Sequence, residues 1–295
     1  LYRMPGERIP ILKCMVTPQV PGDPSTLTAS SKGKQVDGVT HAKTSPMMDY
    51  IVSSENHRYT VFQSSADLNK YLATKIRLLA VSAASNGTPA FIALSGGSTP
   101  VGLFQLLSSS AYQNIPWQGL RIFWVDERGV PPSSPESNYG VFRSILTPTL
   151  LPEEYLFRME GELPAPEAAL RYEQRINEIL IPVKRKPEFD FILLGMGEDG
   201  HTASIFPDRM DLLHDSRLCA PAIHPSSAQP RITMTGTLIS MAESICIAVT
   251  GSNKAQLVSD CITDAAKVSV YPAAAIGSSK NTHWLIDPAA AQNLI

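Results

Sequence analysis

The sequence has no long apolar segment and no marked excess of charge of one sign. Its 295 residues include 25 lysines and arginines against 27 aspartates and glutamates, for a formal net charge of -2. No apolar run approaches the roughly 20 residues that cross a bilayer, and the opening LYRMPGERIP lacks the apolar centre of a signal peptide. Binding a polyanion such as nucleic acid requires a protein surface with an excess of positive charge, which this composition does not supply. We therefore expect a soluble protein that binds neither membranes nor nucleic acid.

Cysteine is scarce and scattered. No two cysteines form a CxxC pair or show metal-ligand spacing, which favours free thiols over a zinc site or a disulfide framework. The cysteines are Cys14, Cys219, Cys246 and Cys261. Most histidines also lie in no setting that suggests chemistry, namely His41, His57, His214, His224 and His283. We therefore expect no metal and no organic cofactor.

The chain divides into an extension and one domain. Residues 1–48 are rich in Pro, Ser, Thr, Gly and Lys and show no reliable periodicity, which predicts a flexible N-terminal extension or linker. From Tyr59 onward, apolar runs typical of strands alternate with helical stretches, as in FIAL at 91–94 and RIFWV at 121–125. This alternation predicts a single Rossmann-like α/β domain over 49–295, with a mostly parallel central sheet and helices on both faces.

One segment, FDFILLGMGEDGHTASIFPD at 189–208, joins a buried strand to a glycine-rich loop that holds Asp199 and His201. A short continuous apolar run is typical of a strand covered on both faces. In open parallel sheets, ligands bind just outside the carboxyl ends of the strands. Asp199 and His201 are therefore candidate active-site residues, although an aspartate in such a loop also serves as an ordinary turn former.

A second glycine-rich loop follows the strand FIAL. It contains Gly96, Gly97, Ser98 and Thr99, with Thr99 expected to cap the next helix and Pro100 to be its first residue. Free N–H groups at such a position, together with the two hydroxyls, make an anion site. The same pattern also suits a plain strand-to-helix turn, since it lacks the lysine of a Walker A loop.

These segments resemble the signatures of the 6-phosphogluconolactonase family, within the larger group that includes glucosamine-6-phosphate isomerase/deaminase. The resemblance runs in order from about Tyr59 to the carboxyl end. It rests on IALSGGSTP at 92–100, WVDERGVPPSSPESNYG at 124–140, the GMGEDGHTA element, RITMT at 231–235, TGSNKA at 250–255 and WLID at 284–287. It implies hydrolysis of 6-phospho-D-glucono-1,5-lactone to 6-phospho-D-gluconate, in the oxidative pentose phosphate pathway.

The resemblance also implies roles at the reacting centre. His201 would take a proton from the attacking water and return it to the ring oxygen, and Asp199 would orient the imidazole. Arg128 would face the lactone and either orient the substrate or stabilise negative charge on the carbonyl oxygen. Asp126 would hold the loop or a sugar hydroxyl. The family commonly has cysteine after DER, where this chain has Gly129, so we expect a looser loop there.

For the phosphate, the resemblance implies two cations beside the 96–99 loop. Arg231 opens RITMT and Lys254 lies in TGSNKA, both at positions where the family contacts phosphate. Neither residue would be singled out alone, because an isolated Arg or Lys is usually a solvated surface charge.

Two other functions compete with lactone hydrolysis. Glucosamine-6-phosphate deaminases carry a glutamate five residues after the histidine, where this chain has Phe206, and DEY in place of DER. A phenyl ring cannot transfer protons, which disfavours deamination. A non-catalytic sugar-phosphate sensor would need the phosphate loop but not His201.

The chain starts at Leu1 and carries a long extension. We therefore also consider that it is part of a fusion with glucose-6-phosphate dehydrogenase, a combination known for such lactonases. A free enzyme is expected to be cytoplasmic, and a fusion of the secretory pathway would be lumenal.

Overall fold

The structure is a computed structural model and describes residues 40–42, 51–53, 58–97 and 99–294. Within these residues the strands are Thr40–Ala42 (β1), Ile51–Ser53 (β2), Arg58–Val61 (β3), Ala90–Leu94 (β4), Leu120–Trp124 (β5), Asp126–Arg128 (β6), Leu156–Phe157 (β7), Phe191–Leu194 (β8), Cys219–Ile223 (β9), Pro230–Met234 (β10), Ile245–Val249 (β11) and Thr282–Ile286 (β12). The α-helices are Ser65–Asn86 (α1), Val101–Leu107 (α2), Asn138–Ile145 (α3), Ala165–Lys184 (α4), Gly236–Ser240 (α5), Ala255–Thr263 (α6) and Pro272–Gly277 (α7).

A nine-stranded sheet with the order β1-β2-β3-β12-β11-β8-β4-β5-β7 forms the centre of the domain. Pairing is parallel from β3 to β7 and antiparallel from β1 to β3. After β4 the chain moves outward to β5, whereas after β8 it moves the opposite way to β11. The carboxyl ends of β4 and β8 therefore meet at a topological switch point, where ligands of α/β proteins bind.

The sheet is covered on both faces because its central strands are apolar on both. In β8, Ile192 and Leu194 pack into one core cluster with α4, α6 and α7, whereas Phe191 and Leu193 pack into the other with α1, α2 and α3. Alternate side chains of a strand point to opposite faces, so a strand buried on both needs a continuous apolar run. The prediction of a mostly parallel sheet with helices on both faces is confirmed.

A small antiparallel sheet, β6-β10-β9, stands beside the large one. The chain passes into it directly from β5, since only Val125 separates β5 from β6, and the N–H of Met234 in β10 donates to the carbonyl of Val125 at 2.7 Å. The small sheet therefore continues from the carboxyl end of a central strand and forms one wall of the space outside the switch point.

The predicted extension lies outside the described residues except for Thr40–Ala42. These residues form β1, which pairs with β2 at the edge of the large sheet. Regular structure thus begins before the predicted boundary at residue 48, and sequence periodicity cannot reveal strands of only three residues.

Two further observations concern the described residues. No helix in this part of the chain is long and apolar enough to span a membrane. Cys219, Cys246 and Cys261 are free and buried, whereas Cys14 lies outside the described residues. Burial raises the pKa of the Cys246 thiol to about 11, which keeps it protonated and unreactive.

A buried histidine in β12 contacts the neighbouring strand β3. His283 in β12 is 8% exposed, and its Nε2 lies 2.8 Å from Oγ1 of Thr60 in β3. Burial, with further contributions from the positive charges of Arg58 and Lys75, lowers the pKa of His283 to about 4. The folded protein therefore holds this imidazole neutral.

We predict that His283 makes the folded state sensitive to acid. Between pH 6.5, its unperturbed pKa, and about 4, the unfolded chain binds a proton at this residue that the folded protein does not. The free energy of unfolding should therefore fall as the pH is lowered, by up to about 3 kcal/mol from this residue alone. Urea unfolding of wild type and His283→Gln across this range measures the difference. His214→Gln, which replaces an exposed histidine, is the control, and equal slopes for all three proteins would contradict the prediction.

Candidate functional site

A cleft opens at the switch point, between the carboxyl ends of the central strands and the small sheet. Six parts of the chain line it: the loop after β4, strand β6, the start of α3, the loop after β8, strand β10 with the turn before it, and the segment after β11. The predicted site residues that line the cleft are Gly96, Gly97, Thr99, Asp126, Arg128, His201, Arg231 and Lys254. The structure therefore brings together residues from the whole length of the domain.

The loop after β4 is held tightly against the start of α3. A Cβ atom added to Gly96 would lie 1.9 Å from Oδ1 of Asn138, so only glycine fits at this position. The expectation that Thr99 caps the following helix is wrong: α2 begins at Val101, and Pro100 precedes it without a side-chain cap. Ser98, also assigned to this loop, lies outside the described residues.

Asp126 is a buried anchor for the cleft. Its Oδ2 accepts from Oγ of Ser204 at 2.7 Å, and its backbone carbonyl accepts from Nδ2 of Asn138 at 2.9 Å. Asp126 thus connects β6 to α3 and to the segment after His201. Its carboxylate is held by protein groups, which favours a structural role over direct capture of a ligand.

Glu127, the middle residue of DER, caps the N-terminus of α3. Its Oε1 accepts from the N–H groups of Arg128 and Asn138 at 2.8 and 2.7 Å. Its Oε2 accepts from Oγ of Ser137 at 3.0 Å and from the N–H of Tyr139 at 2.9 Å. Burial raises the pKa of Glu127, and these hydrogen bonds oppose the rise by stabilising the carboxylate. The sequence analysis missed both Glu127 and Asn138, although both lie in the motif that it quoted.

Two arginines stand side by side in the small sheet. Arg128 of β6 is the register partner of Arg231 of β10. Burial lowers the pKa of Arg231, and the charge of Arg128 contributes to this shift. Among the described residues, the Nε atoms of both arginines are buried and have no hydrogen-bond partner. Two adjacent cations with unused donors favour an anionic ligand.

The residue after Arg128 packs closely on the residue before Arg231. The N–H of Gly129 donates to the carbonyl of Pro230 at 2.8 Å, and a Cβ added to Gly129 would lie 2.8 Å from Cβ of Pro230. The expectation of a looser loop at this position is therefore wrong. Glycine lets the two strands approach where a side chain would push them apart.

The loop after β8 presents a histidine–aspartate pair. Nδ1 of His201 lies 2.5 Å from Oδ1 of Asp199, which also accepts from the backbone N–H of His201 at 3.1 Å. Partial burial opposes ionisation of Asp199, but the hydrogen bond and charge of His201 outweigh it and lower the pKa of Asp199. The carboxylate is therefore ionised and can only accept, so Nδ1 of His201 carries a hydrogen. In the neutral imidazole this leaves the lone pair on Nε2.

Lys254 belongs to the cleft through a contact with the same loop. Its Nζ donates to the carbonyl of Met196 at 2.6 Å, and burial lowers its pKa. The preceding turn is fixed by Asp287, the last residue of WLID, whose Oδ1 accepts from the N–H of Gly251 at 3.1 Å. The ends of β11 and β12 thus cooperate to place one cation beside the histidine loop.

The structure adds a histidine that the sequence analysis set aside. His224 lies just after β9 and lines the cleft, so the judgement that it has no comparable setting is wrong. Its ring centroid lies 5.2 Å from that of Phe206, which in turn lies 4.8 Å from that of His201. No local pattern marks His224, because only the pairing of β9 with β10 brings it to the cleft. Among the residues that the structure describes, no cluster of three or more His, Cys, Asp or Glu side chains could hold a metal ion.

Comparison with known proteins agrees with this geometry. A family model described as glucosamine-6-phosphate isomerases/6-phosphogluconolactonase matches residues 63–284, a span that includes every residue assigned to the cleft. The chain belongs to this family. The resemblance inferred from the sequence is therefore confirmed.

Relatives of the same family cover most of the domain. The 6-phosphogluconolactonase of Haemophilus influenzae is 42% identical over 209 residues, which span 70% of this chain and 88% of that protein. The crystal structure of the devB protein is similar, with a TM-score of 0.75 and 37% identity, covering 80% of this chain and 99% of that one. The 6-phosphogluconolactonase of Trypanosoma cruzi has a TM-score of 0.69 and 29% identity, covering 80% and 96%.

Because Gly129 and Pro230 are in close contact, we predict that their contributions to the free energy of unfolding are coupled. Gly129→Ala should reduce the free energy of unfolding by about 1–3 kcal/mol, because an added methyl group overpacks a rigid contact. Gly195→Ala is the matched control, since a Cβ there would meet nothing within 4 Å. Urea unfolding of Gly129→Ala, Pro230→Gly and the double variant gives the coupling energy. Strictly additive effects would show that the two residues do not constrain each other.

Proposed function

We propose that this protein hydrolyses 6-phospho-D-glucono-1,5-lactone to 6-phospho-D-gluconate, with His201 as the general base. One observation carries the proposal: His201, whose Nδ1 is paired with Asp199, shares a cleft with two half-buried arginines whose buried Nε atoms have no hydrogen-bond partner among the described residues. The first group can move a proton and the second can bind an anion. A phosphorylated ester is the class of substrate that requires both in one cavity.

The phosphate would be bound by the loop that holds Gly96, Gly97 and Thr99 together with Arg231 and Lys254, all of which line the cleft. Because α2 spans only seven residues, the two cations would contribute most of the attraction. Ser98 remains a predicted donor in the same loop. Hydrogen bonds between charged groups stabilise such a complex by roughly 1.5–3 kcal/mol each.

The chemistry follows from the protonation of His201. Its Nε2 would accept a proton from a water molecule as the water oxygen attacks C1 of the lactone. Asp199 would stabilise the resulting imidazolium, and Arg128 would stabilise the negative charge that develops on the carbonyl oxygen. The bond between C1 and the ring oxygen then breaks, and the imidazolium returns its proton to that oxygen. The products are a carboxylic acid, which ionises, and a free hydroxyl group.

Phe206 argues against the deaminase activity that also occurs in this family. Its phenyl ring is 1% exposed and packs against the His201 ring. Opening an amino sugar and moving a proton between carbons requires an additional acid or base at this place, and a phenyl group provides none. The cleft therefore favours hydrolysis of a lactone over deamination of glucosamine 6-phosphate.

An assay with three substrates tests this function. The purified protein is offered freshly generated 6-phosphogluconolactone, unphosphorylated glucono-1,5-lactone and glucosamine 6-phosphate, with spontaneous lactone hydrolysis subtracted. We expect rapid hydrolysis of the phosphorylated lactone, much slower hydrolysis of the unphosphorylated one because it lacks the anion that the cations attract, and no release of ammonia. Deamination, or a lactone rate equal to the spontaneous rate, would refute the proposal.

The role of His201 predicts a graded loss of activity. His201→Asn removes proton transfer at neutral pH, so kcat should fall by about 10²–10⁴-fold while 6-phosphogluconate still binds. Asp199→Asn should reduce kcat less, and the double variant should lose little more than His201→Asn, because the pair acts as one unit. His214→Asn, at an exposed histidine, is the control. Near-normal kcat in folded His201→Asn would exclude the mechanism.

A further inference from the structure

Two backbone hydrogen bonds hold the turn that carries His224. The backbone N–H of His224 donates to the carbonyl of Gln229 at 3.0 Å, and its carbonyl accepts from the N–H of Ala228 at 2.9 Å. These bonds close the turn between β9 and β10. Since β10 carries Arg231, the turn has a fixed place beside the proposed phosphate site.

The hydrogen bonds within this turn also determine which ring nitrogen is available. Nδ1 of His224 accepts from the N–H groups of Ser226 and Ser227 at 3.3 and 3.2 Å. An accepting Nδ1 carries no hydrogen, so the neutral ring carries its hydrogen on Nε2. Burial, followed by the positive charge of Arg231, lowers the pKa of His224 and keeps the ring neutral. His224 is therefore a hydrogen-bond donor through Nε2, in contrast to His201, whose Nε2 is an acceptor.

His224 lies in the same cleft as the residues assigned to the two ends of the proposed substrate. The cleft lining includes Arg231, assigned to the phosphate, and His201, assigned to C1. The ring of His224 packs against Phe206, the same buried side chain that supports His201. A neutral N–H donor at this position suits an uncharged oxygen of the sugar chain better than it suits the phosphate. The phosphate is already assigned to the positively charged side chains of Arg231 and Lys254.

We infer that His224 binds the substrate by donating its Nε2 hydrogen to a hydroxyl oxygen of the sugar chain, between the phosphate and the reacting carbon. This inference rests on the proposed function. It makes His224 a residue that selects polyhydroxylated 6-phosphates over other phosphorylated compounds. The cleft then contains two histidines with different roles: His201 accepts a proton, and His224 only donates a hydrogen bond.

Two substitutions separate the binding role from the closing of the turn. His224→Asn keeps an acceptor near the position of Nδ1 but removes the distal donor. His224→Gln places an amide N–H near the position of Nε2 but removes the proximal acceptor. A purely structural residue should tolerate Asn and suffer from Gln, whereas a substrate-binding residue should show the reverse.

The test measures lactone kinetics, thermal unfolding, and the binding of 6-phosphogluconate and of inorganic phosphate by calorimetry. For His224→Asn we expect KM and the Kd of 6-phosphogluconate to rise roughly threefold to tenfold, the loss of one neutral hydrogen bond. We expect kcat, the Kd of inorganic phosphate and Tm to stay near wild-type values. His224→Gln should recover much of the affinity, and Arg231→Ala should weaken both ligands.

Other results would overturn the inference in identifiable ways. If His224→Asn binds 6-phosphogluconate with wild-type affinity and His224→Gln binds it more weakly, His224 only closes the turn and does not bind the substrate. Equal weakening of 6-phosphogluconate and inorganic phosphate in His224→Asn would place its contact on the phosphate instead of the sugar. Wild-type protein that binds 6-phosphogluconate but does not hydrolyse the lactone would refute the proposed function, while the binding measurements would still decide the role of His224.

Discussion

The buried carboxylate of Glu127 is the interaction on which the cleft depends. It accepts four hydrogen bonds and thereby ties β6 to the start of α3. That contact places Asn138, whose side chain bonds Asp126 and fills the space left by Gly96. A buried charge is tolerated only when its acceptor sites are filled. The same network therefore positions the glycine loop, the DER strand and, through Asp126 and Ser204, the segment that follows His201.

The arginine pair shows how binding and stability oppose each other at this site. Arg128 and Arg231 are register partners, so their like charges lie side by side on neighbouring strands. Like charges directly opposite in a sheet are unfavourable, and each buried Nε without a partner adds to the cost. The close packing of Gly129 on Pro230 holds the strands together despite this repulsion. An anionic ligand that accepts hydrogen bonds from these arginines would reduce both penalties.

The histidine loop is held from several directions, which explains how a short glycine-rich segment can keep a defined geometry. Asp199 fixes the imidazole of His201, Phe206 packs against its ring, and the N–H of Ala273 in α7 donates to the carbonyl of Gly200 at 3.0 Å. Lys254 binds the same loop at Met196. Glycine gives the loop its turns but no rigidity, so the rigidity comes from neighbouring elements.

The sequence by itself determined the elements and pairs that local patterns encode. A strand buried on both faces requires a continuous apolar run, so β8 and the parallel sheet could be predicted, and Asp199 and His201 are only two residues apart. It did not determine the start of α2, the short strand β1 or the close packing at Gly129, because these depend on contacts outside the local window. Only the tertiary structure placed Arg128 beside Arg231 and His224 beside Phe206. Strand order and register bring such residues together, and these are set by the packing of the whole chain, which no local pattern records.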